Sequence, residues 1–179
     1  MNVETHPSLE AQLKQIKLLL LDVDGVLTDG AITYTDQGDE IKRFSVKDGL
    51  GLRLLMDAGI RVGIITGRKS QALTARCNNL GINLLYDGIK NKVTALETIL
   101  DTTGFNASET AFAGDDLPDI CVMARVGLAI AVADATDEVK QAAHLVTRKN
   151  GGGGAVREVC ELILKTRGEW NDIINRFSR

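Results

Sequence analysis

Lys17-Leu18-Leu19-Leu20-Leu21-Asp22-Val23-Asp24-Gly25-Val26-Leu27-Thr28-Asp29 is a short apolar run closed by two carboxylates and a glycine. An apolar stretch of this length reads as a buried strand, Leu18 to Val23, ending at a site. Side chains alternate along a strand, so Asp22 and Asp24 point the same way. Gly25 permits a sharp turn directly after them. Two like charges at a strand end are costly unless a cation or a proton offsets them. A magnesium site with phosphate chemistry is the reading that follows.

Working outward, strand and helix signals alternate to the end of the chain. Asp48 to Ala58 reads as a helix capped by Asp48 and stopped by Gly59. Further strands are expected at Arg61–Ile65, Leu84–Tyr86, Thr110–Ala113, Leu128–Val132 and Leu145–Thr147. Helices are expected at Lys69–Leu80, Lys92–Thr103, Leu117–Arg125, Asp137–Ala143 and Ala155–Thr166. This alternation predicts an α/β fold: a three-layer, Rossmann-like, doubly wound and mostly parallel sheet. Ligands of such sheets sit beyond the carboxyl ends of the strands.

One segment departs from the alternation. Residues 31–46 carry Ile32-Thr33-Tyr34-Thr35, a Gly38-containing turn, and Glu40-Ile41-Lys42-Arg43-Phe44, which reads as a projecting β-hairpin. Alone it would expose edges and apolar side chains. The expected partner is a neighbouring subunit; the alternative is its own domain. The run Gly151–Gly154 is either a flexible connector or a backbone able to approach an anion closely.

A chain of 179 residues, 44% apolar and 25% charged, fits one soluble domain spanning 1–179, with a tail over about 148–179. A net charge of -3 argues against nonspecific nucleic-acid binding. No apolar run is long enough to span a membrane. Met1 to Gln15 is polar and acid-containing, unlike a signal peptide, and His6 falls in an end expected to fray. Cys77, Cys121 and Cys160 form no CxxC pair and suit buried thiols in a reducing cytoplasm. His144 is read as a packed structural residue. No Ser-His-Asp or Cys-His set is evident.

Four groups fall at predicted strand ends: Asp22 with Asp24; Thr66, whose hydroxyl and following helix N-terminus suit phosphate; Lys92; and Gly114-Asp115-Asp116-Leu117-Pro118-Asp119. Each is weak alone. Their order resembles the haloacid dehalogenase-like phosphatase superfamily, whose pattern is DxDGx[VT]x[TD], then Ser/Thr, then Lys, then GDxxxD. The resemblance implies that Asp22 attacks phosphorus and Asp24 serves as acid and base. It implies Mg2+ on Asp22, the Asp24 carbonyl and Asp115. Thr66 and Lys92 would then hold phosphoryl oxygens, with Asp116 and Asp119 orienting water or Lys92.

Spacing narrows the branch. Only 43 residues separate Asp22 from Thr66, and 25 separate Thr66 from Lys92, so no large cap domain fits. Phe44–Gly51, Ile65–Arg68 and Gly151–Val159 make the chain similar to a capless branch, the 3-deoxy-D-manno-octulosonate 8-phosphate phosphatases. That resemblance implies a cytoplasmic, magnesium-dependent homotetramer joined through its hairpins, supplying a sugar for lipopolysaccharide. It implies that Asp24, Ser45, Val46, Lys47, Asp48, Gly49, Arg53, Arg68, Arg76 and Lys92 contact a sugar phosphate, and that the tail reaches a neighbour's site. Arginine suits an anionic substrate because it forms paired hydrogen bonds. Two positions depart from the branch: Lys47 stands where arginine is common, and Gly153 where a basic residue is common. Alternatives are a phosphatase for a nine-carbon, sialic-acid-type sugar phosphate, a noncatalytic assembly module, and a phospho-accepting receiver.

Overall fold

The computed structural model describes residues 7 to 178; His6 lies outside them. Six parallel strands form one sheet: β1 (Leu18–Leu21), β4 (Arg61–Ile65), β5 (Leu84–Tyr86), β6 (Thr110–Gly114), β7 (Leu128–Ala131) and β8 (Leu145–Val146). Their spatial order is β5-β4-β1-β6-β7-β8. The four leucines of β1 are fully buried between β4 and β6, with Leu21 opposite Ile64 on one side and Ala113 on the other. An unbroken apolar strand is what a sheet covered on both faces demands.

Two groups of helices flank the sheet. α1 (Pro7–Gln15), α2 (Val46–Asp57), α3 (Gln71–Leu80), α7 (Ala155–Thr166) and α8 (Trp170–Phe177) form one. α4 (Lys92–Thr103), α5 (Ile120–Met123) and α6 (Asp137–Ala142) form the other. From β1 the chain winds outward through β4 to β5, then crosses back to β6 and winds the other way. The reversal lies between β1 and β6, so the crevice of the fold opens at their carboxyl ends.

The expected elements recur with shifts of a few residues, and the readings of Cys121 and His144 need correction. α1 had not been expected; it buries Leu13, with Ile16 just after it, and packs on α7. α8, which carried no expectation, buries Ile173 and sets Trp170 beneath Arg157 and Lys165, at 5.5 and 5.1 Å from the ring centre. Cys121 is exposed, unlike Cys77 and Cys160. Burial pushes the Cys77 thiol up to about 11, so it stays protonated and inert. His144 is exposed as well, but its role is structural: Nδ1 accepts from the Ala129 N–H at 2.9 Å. Among the described residues no helix is long and apolar enough to cross a membrane.

The hairpin pairs β2 (Thr33–Tyr34) with β3 (Glu40–Ile41), Tyr34 opposite Glu40. Ile32, Tyr34 and Ile41 are exposed, with Ile41 on the outward face and Tyr34 on the face it shares with Glu40. The hairpin's inner face folds onto its own chain.

Candidate active site

The loop after β1 is built around a backbone conformation that favours glycine. Gly25 has φ +86°, and a Cβ there would stand 2.0 Å from Asp115 Oδ2. Thr28 Oγ1 accepts from the Gly25 and Gly30 N–H groups at 3.3 and 3.2 Å, closing the turn. The glycine run seals it from outside. A Cβ on Gly151 would lie 1.6 Å from the Gly25 carbonyl oxygen, and Gly152 N–H donates to Val26 O at 3.0 Å. Gly151 and Gly152 are therefore a close-packed buttress, neither a loose connector nor an anion cradle.

At the tip of β6, Asp115 and Asp119 approach Asp22. One oxygen from each of the three carboxylates falls within a 4.8 Å cluster. Gly114 lacks a side chain where Asp119 stands; a Cβ would meet Asp119 Cβ at 2.5 Å. Asp119 is almost fully buried; its Oδ2 accepts from the Asp115 and Asp116 N–H groups, and its Oδ1 accepts from Lys92 Nζ at 2.7 Å. Lys92 Nζ also stands 3.0 Å from Asp22 Oδ1. Asn91 caps α4 and delivers Lys92 into the cleft as its first residue.

One ammonium faces three carboxylates, and the titration follows. Burial, then Asp119, pushes Asp22 up to about 6 against the pull of Lys92. Burial, then Asp22, Asp119 and Asp116, pushes Asp115 up to about 7. Burial works against the Lys92 ammonium, but Asp22 and Asp119 hold it above the usual lysine value. Asp115 Oδ1 is buried without a hydrogen-bond partner, and Asp22 Oδ1 has only the Lys92 ammonium beside it. Unpaired carboxylate oxygens around shared negative charge fit a hard divalent cation.

Across the cleft, Thr66 follows β4, with its hydroxyl 3.5 Å from the Arg68 N–H. α3 begins only at Gln71, so no helix N-terminus stands at Thr66 as expected. Arg68 Nε lies 3.5 Å from Asp24 Oδ2, and its Nη2 donates to Glu40 and, at 3.3 Å, to Tyr34 Oη. Lys42 Nζ bonds Asp24 Oδ1 and stands 3.2 Å from Glu40 Oε1. Against the cost of burial, the bond from Arg68, helped by Lys42, holds the Glu40 carboxyl below the usual range. Sequence reasoning missed Lys42, Glu40 and Tyr34. The signal was the alternation Glu40-Ile41-Lys42-Arg43, which puts Glu40 and Lys42 on one face.

Asp22, Asp24, Thr66, Arg68, Lys92, Asp115 and Asp119 line a cleft of about 720 Å³. Asp116 also lines this cleft, its Oδ1 accepting from Leu117 N–H at 2.8 Å. The remaining expected contacts lie off the cleft. Ser45, not Asp48, caps α2, accepting from Asp48 N–H at 3.3 Å. Asp48 is buried, accepts from the Arg157 N–H at 2.7 Å and anchors the start of α7 to its own chain. Burial raises its carboxyl. Arg76 bonds Ser45 O at 3.0 Å over the Phe44 ring and covers Gly49, where a Cβ would meet its Nη2 at 2.2 Å. Arg53 bonds Asn79 O on α3. Val46 and Lys47 are exposed.

Residues 85–159 match the family model for haloacid dehalogenase-like hydrolases. The chain is 51% identical over 149 residues to a 3-deoxy-D-manno-octulosonate 8-phosphate phosphatase of Yersinia pestis, covering 83% of this chain and 80% of that one. It is 46% identical over 162 residues to the enzyme of that name from Escherichia coli K12, covering 90% and 86%. The structure superposes on the Moraxella catarrhalis phosphatase of that name, solved with magnesium, phosphate and KDO. There the TM-score is 0.92, with 42% identity over 94% of this chain and 97% of the other.

Proposed function

The chain belongs to the haloacid dehalogenase-like hydrolases, in their 3-deoxy-D-manno-octulosonate 8-phosphate phosphatase family, and on that premise we propose that it removes phosphate from 3-deoxy-D-manno-octulosonate 8-phosphate with Mg2+. The free sugar acid would serve lipopolysaccharide synthesis. The observation that carries the mechanism is the cluster of Asp22, Asp115 and Asp119 around one lysine, beside an Asp24 that faces two cations. The names of these relatives favour the eight-carbon substrate over the nine-carbon alternative.

Asp22 and Asp115, with the carbonyl of Asp24, would hold the magnesium; the clustered carboxylates and the unpartnered Asp115 Oδ1 suit it. The ion supplies charge neutralisation, letting an anionic nucleophile meet an anionic substrate. Asp22 attacks phosphorus, and the ester P–O bond breaks. The leaving oxygen takes that electron pair and the proton of Asp24. An aspartyl-phosphate remains. Water then attacks the same phosphorus, giving its proton to Asp24, and the Asp22–phosphorus bond breaks to release inorganic phosphate. Thr66 and Lys92 donate to phosphoryl oxygens as charge builds. Arg68 grips an anionic group of the substrate.

Ser45 to Gly49, Arg53 and Arg76 lie off the cleft of their own chain, while Val46 and the hairpin's Ile32, Tyr34 and Ile41 are exposed. We propose that copies assemble through this surface into a homotetramer, and that its exposed residues Val46 and Lys47 reach a neighbour's site.

The test is phosphate release from 3-deoxy-D-manno-octulosonate 8-phosphate with magnesium, in the parent protein and in Asp22→Asn. Rapid, metal-dependent release that vanishes in the variant is expected. A folded parent protein that releases nothing rejects the substrate, and release that survives Asp22→Asn rejects the nucleophile.

A further inference from the structure

Lys42 is the least expected side chain near the cleft. It follows a two-residue strand on a hairpin whose other side chains are mostly exposed, yet its own is only 4% exposed. A desolvated ammonium is costly unless it is paired. Its partners are Asp24 Oδ1 and Glu40 Oε1. Glu40 in turn grips Arg68 through Oε2, so one glutamate ties together the two cations flanking Asp24. The tie depends on hairpin geometry: period-two alternation turns Glu40 and Lys42 inward while Ile41 and Arg43 face out.

This arrangement makes the two oxygens of Asp24 unequal. Oδ1 receives the Lys42 ammonium. Oδ2 is buried with no hydrogen-bond partner, and Arg68 Nε stands 3.5 Å away. An ammonium only donates, so a protonated Oδ1 would set hydrogen against hydrogen. Lys42 therefore occupies Oδ1, and Oδ2 is the oxygen left without a bonded donor.

We propose that Lys42 is a positioning residue for proton transfer: it pins Oδ1 and so presents Oδ2 as the oxygen that protonates the leaving group. The hairpin thus serves the chemistry of its own chain, whatever it does between copies. This inference rests on Asp24 being the acid of the proposed mechanism.

The experiment uses phenyl phosphates of matched size whose phenols differ in acidity, so that no sugar contact intervenes. kcat/KM is read because it reports steps up to departure of the phenol. Good leaving groups need no proton, whereas poor ones do. In Lys42→Met, unsubstituted phenyl phosphate should lose about tenfold or more, and p-nitrophenyl phosphate less than about threefold. Lys42→Arg should restore the parent slope, and Lys42→Gln replaces Lys42→Met if the latter does not fold. A parallel loss across the series marks a mere hairpin anchor and overturns the proposal, as does no loss. Asp24→Asn is run alongside. If it steepens the series and Lys42→Met does not, Lys42 has no positioning role. If Asp24→Asn leaves the slope unchanged, Asp24 is not the acid and the inference falls with it.

Discussion

The two halves of the cleft treat charge oppositely. On the β6 side, Asp22, Asp115 and Asp119 share the single ammonium of Lys92. On the hairpin side, Asp24 and Glu40 face Lys42 and Arg68, two charges against two. The first half pushes carboxyls up, Asp22 to about 6 and Asp115 to about 7. The second holds the Glu40 carboxyl down. The difference teaches where a divalent cation belongs. It relieves repulsion in the acid-rich half, while in the balanced half it would have to displace an ammonium or a guanidinium.

The hardest blow to this contrast is removal of Lys92. Lys92→Ala should lower kcat for the sugar phosphate by about 10²–10³-fold, the scale for losing a transition-state donor. Steady-state kinetics at saturating magnesium measures it. A loss below about tenfold would mean that the acid-rich half does not depend on its one cation.

Metal and pH sharpen the contrast next. Raised folded-state carboxyls bind protons more tightly than the unfolded chain does, where aspartate titrates near 3.8. Their contribution to stability is present below that value and is lost as pH rises through about 6 and 7. Thermal melts should therefore show magnesium raising the midpoint by about 5 °C or more at pH 8. At pH 5 the gain should shrink toward zero, because protons then occupy the same oxygens. An equal gain at both values would break the assignment of the ion to Asp22 and Asp115.

The smallest effect belongs to the outer face of the hairpin. Arg43 pairs with Asp29 across exposed surface. Arg43→Ala should change stability by less than about 0.5 kcal/mol and leave the slope across the phenyl phosphates unmoved. Denaturant unfolding and the same kinetic series check it. A change there as large as that of Lys42→Met would erase the distinction between the inward and outward faces of one strand.

Short-range patterns determined much of this molecule. The leucines of β1, Gly81 and Gly104 as left-handed helix stops, and the first residue of α4 at Lys92 are set by local chemistry and could be read directly. So could the grouping of Asp22, Asp24, Thr66, Lys92 and Asp115, because a parallel sheet brings its strand tips together. Tertiary structure alone decided the rest. It turned Asp48 inward to hold the start of α7, set Arg76 over Phe44, packed Gly151 against Gly25 and brought Lys42 onto Asp24. Periodicity says which residues share a face. What that face meets depends on contacts between residues far apart in the chain, such as the 18 positions between Lys42 and Asp24 and the 109 between Arg157 and Asp48, and only the folded packing brings them together.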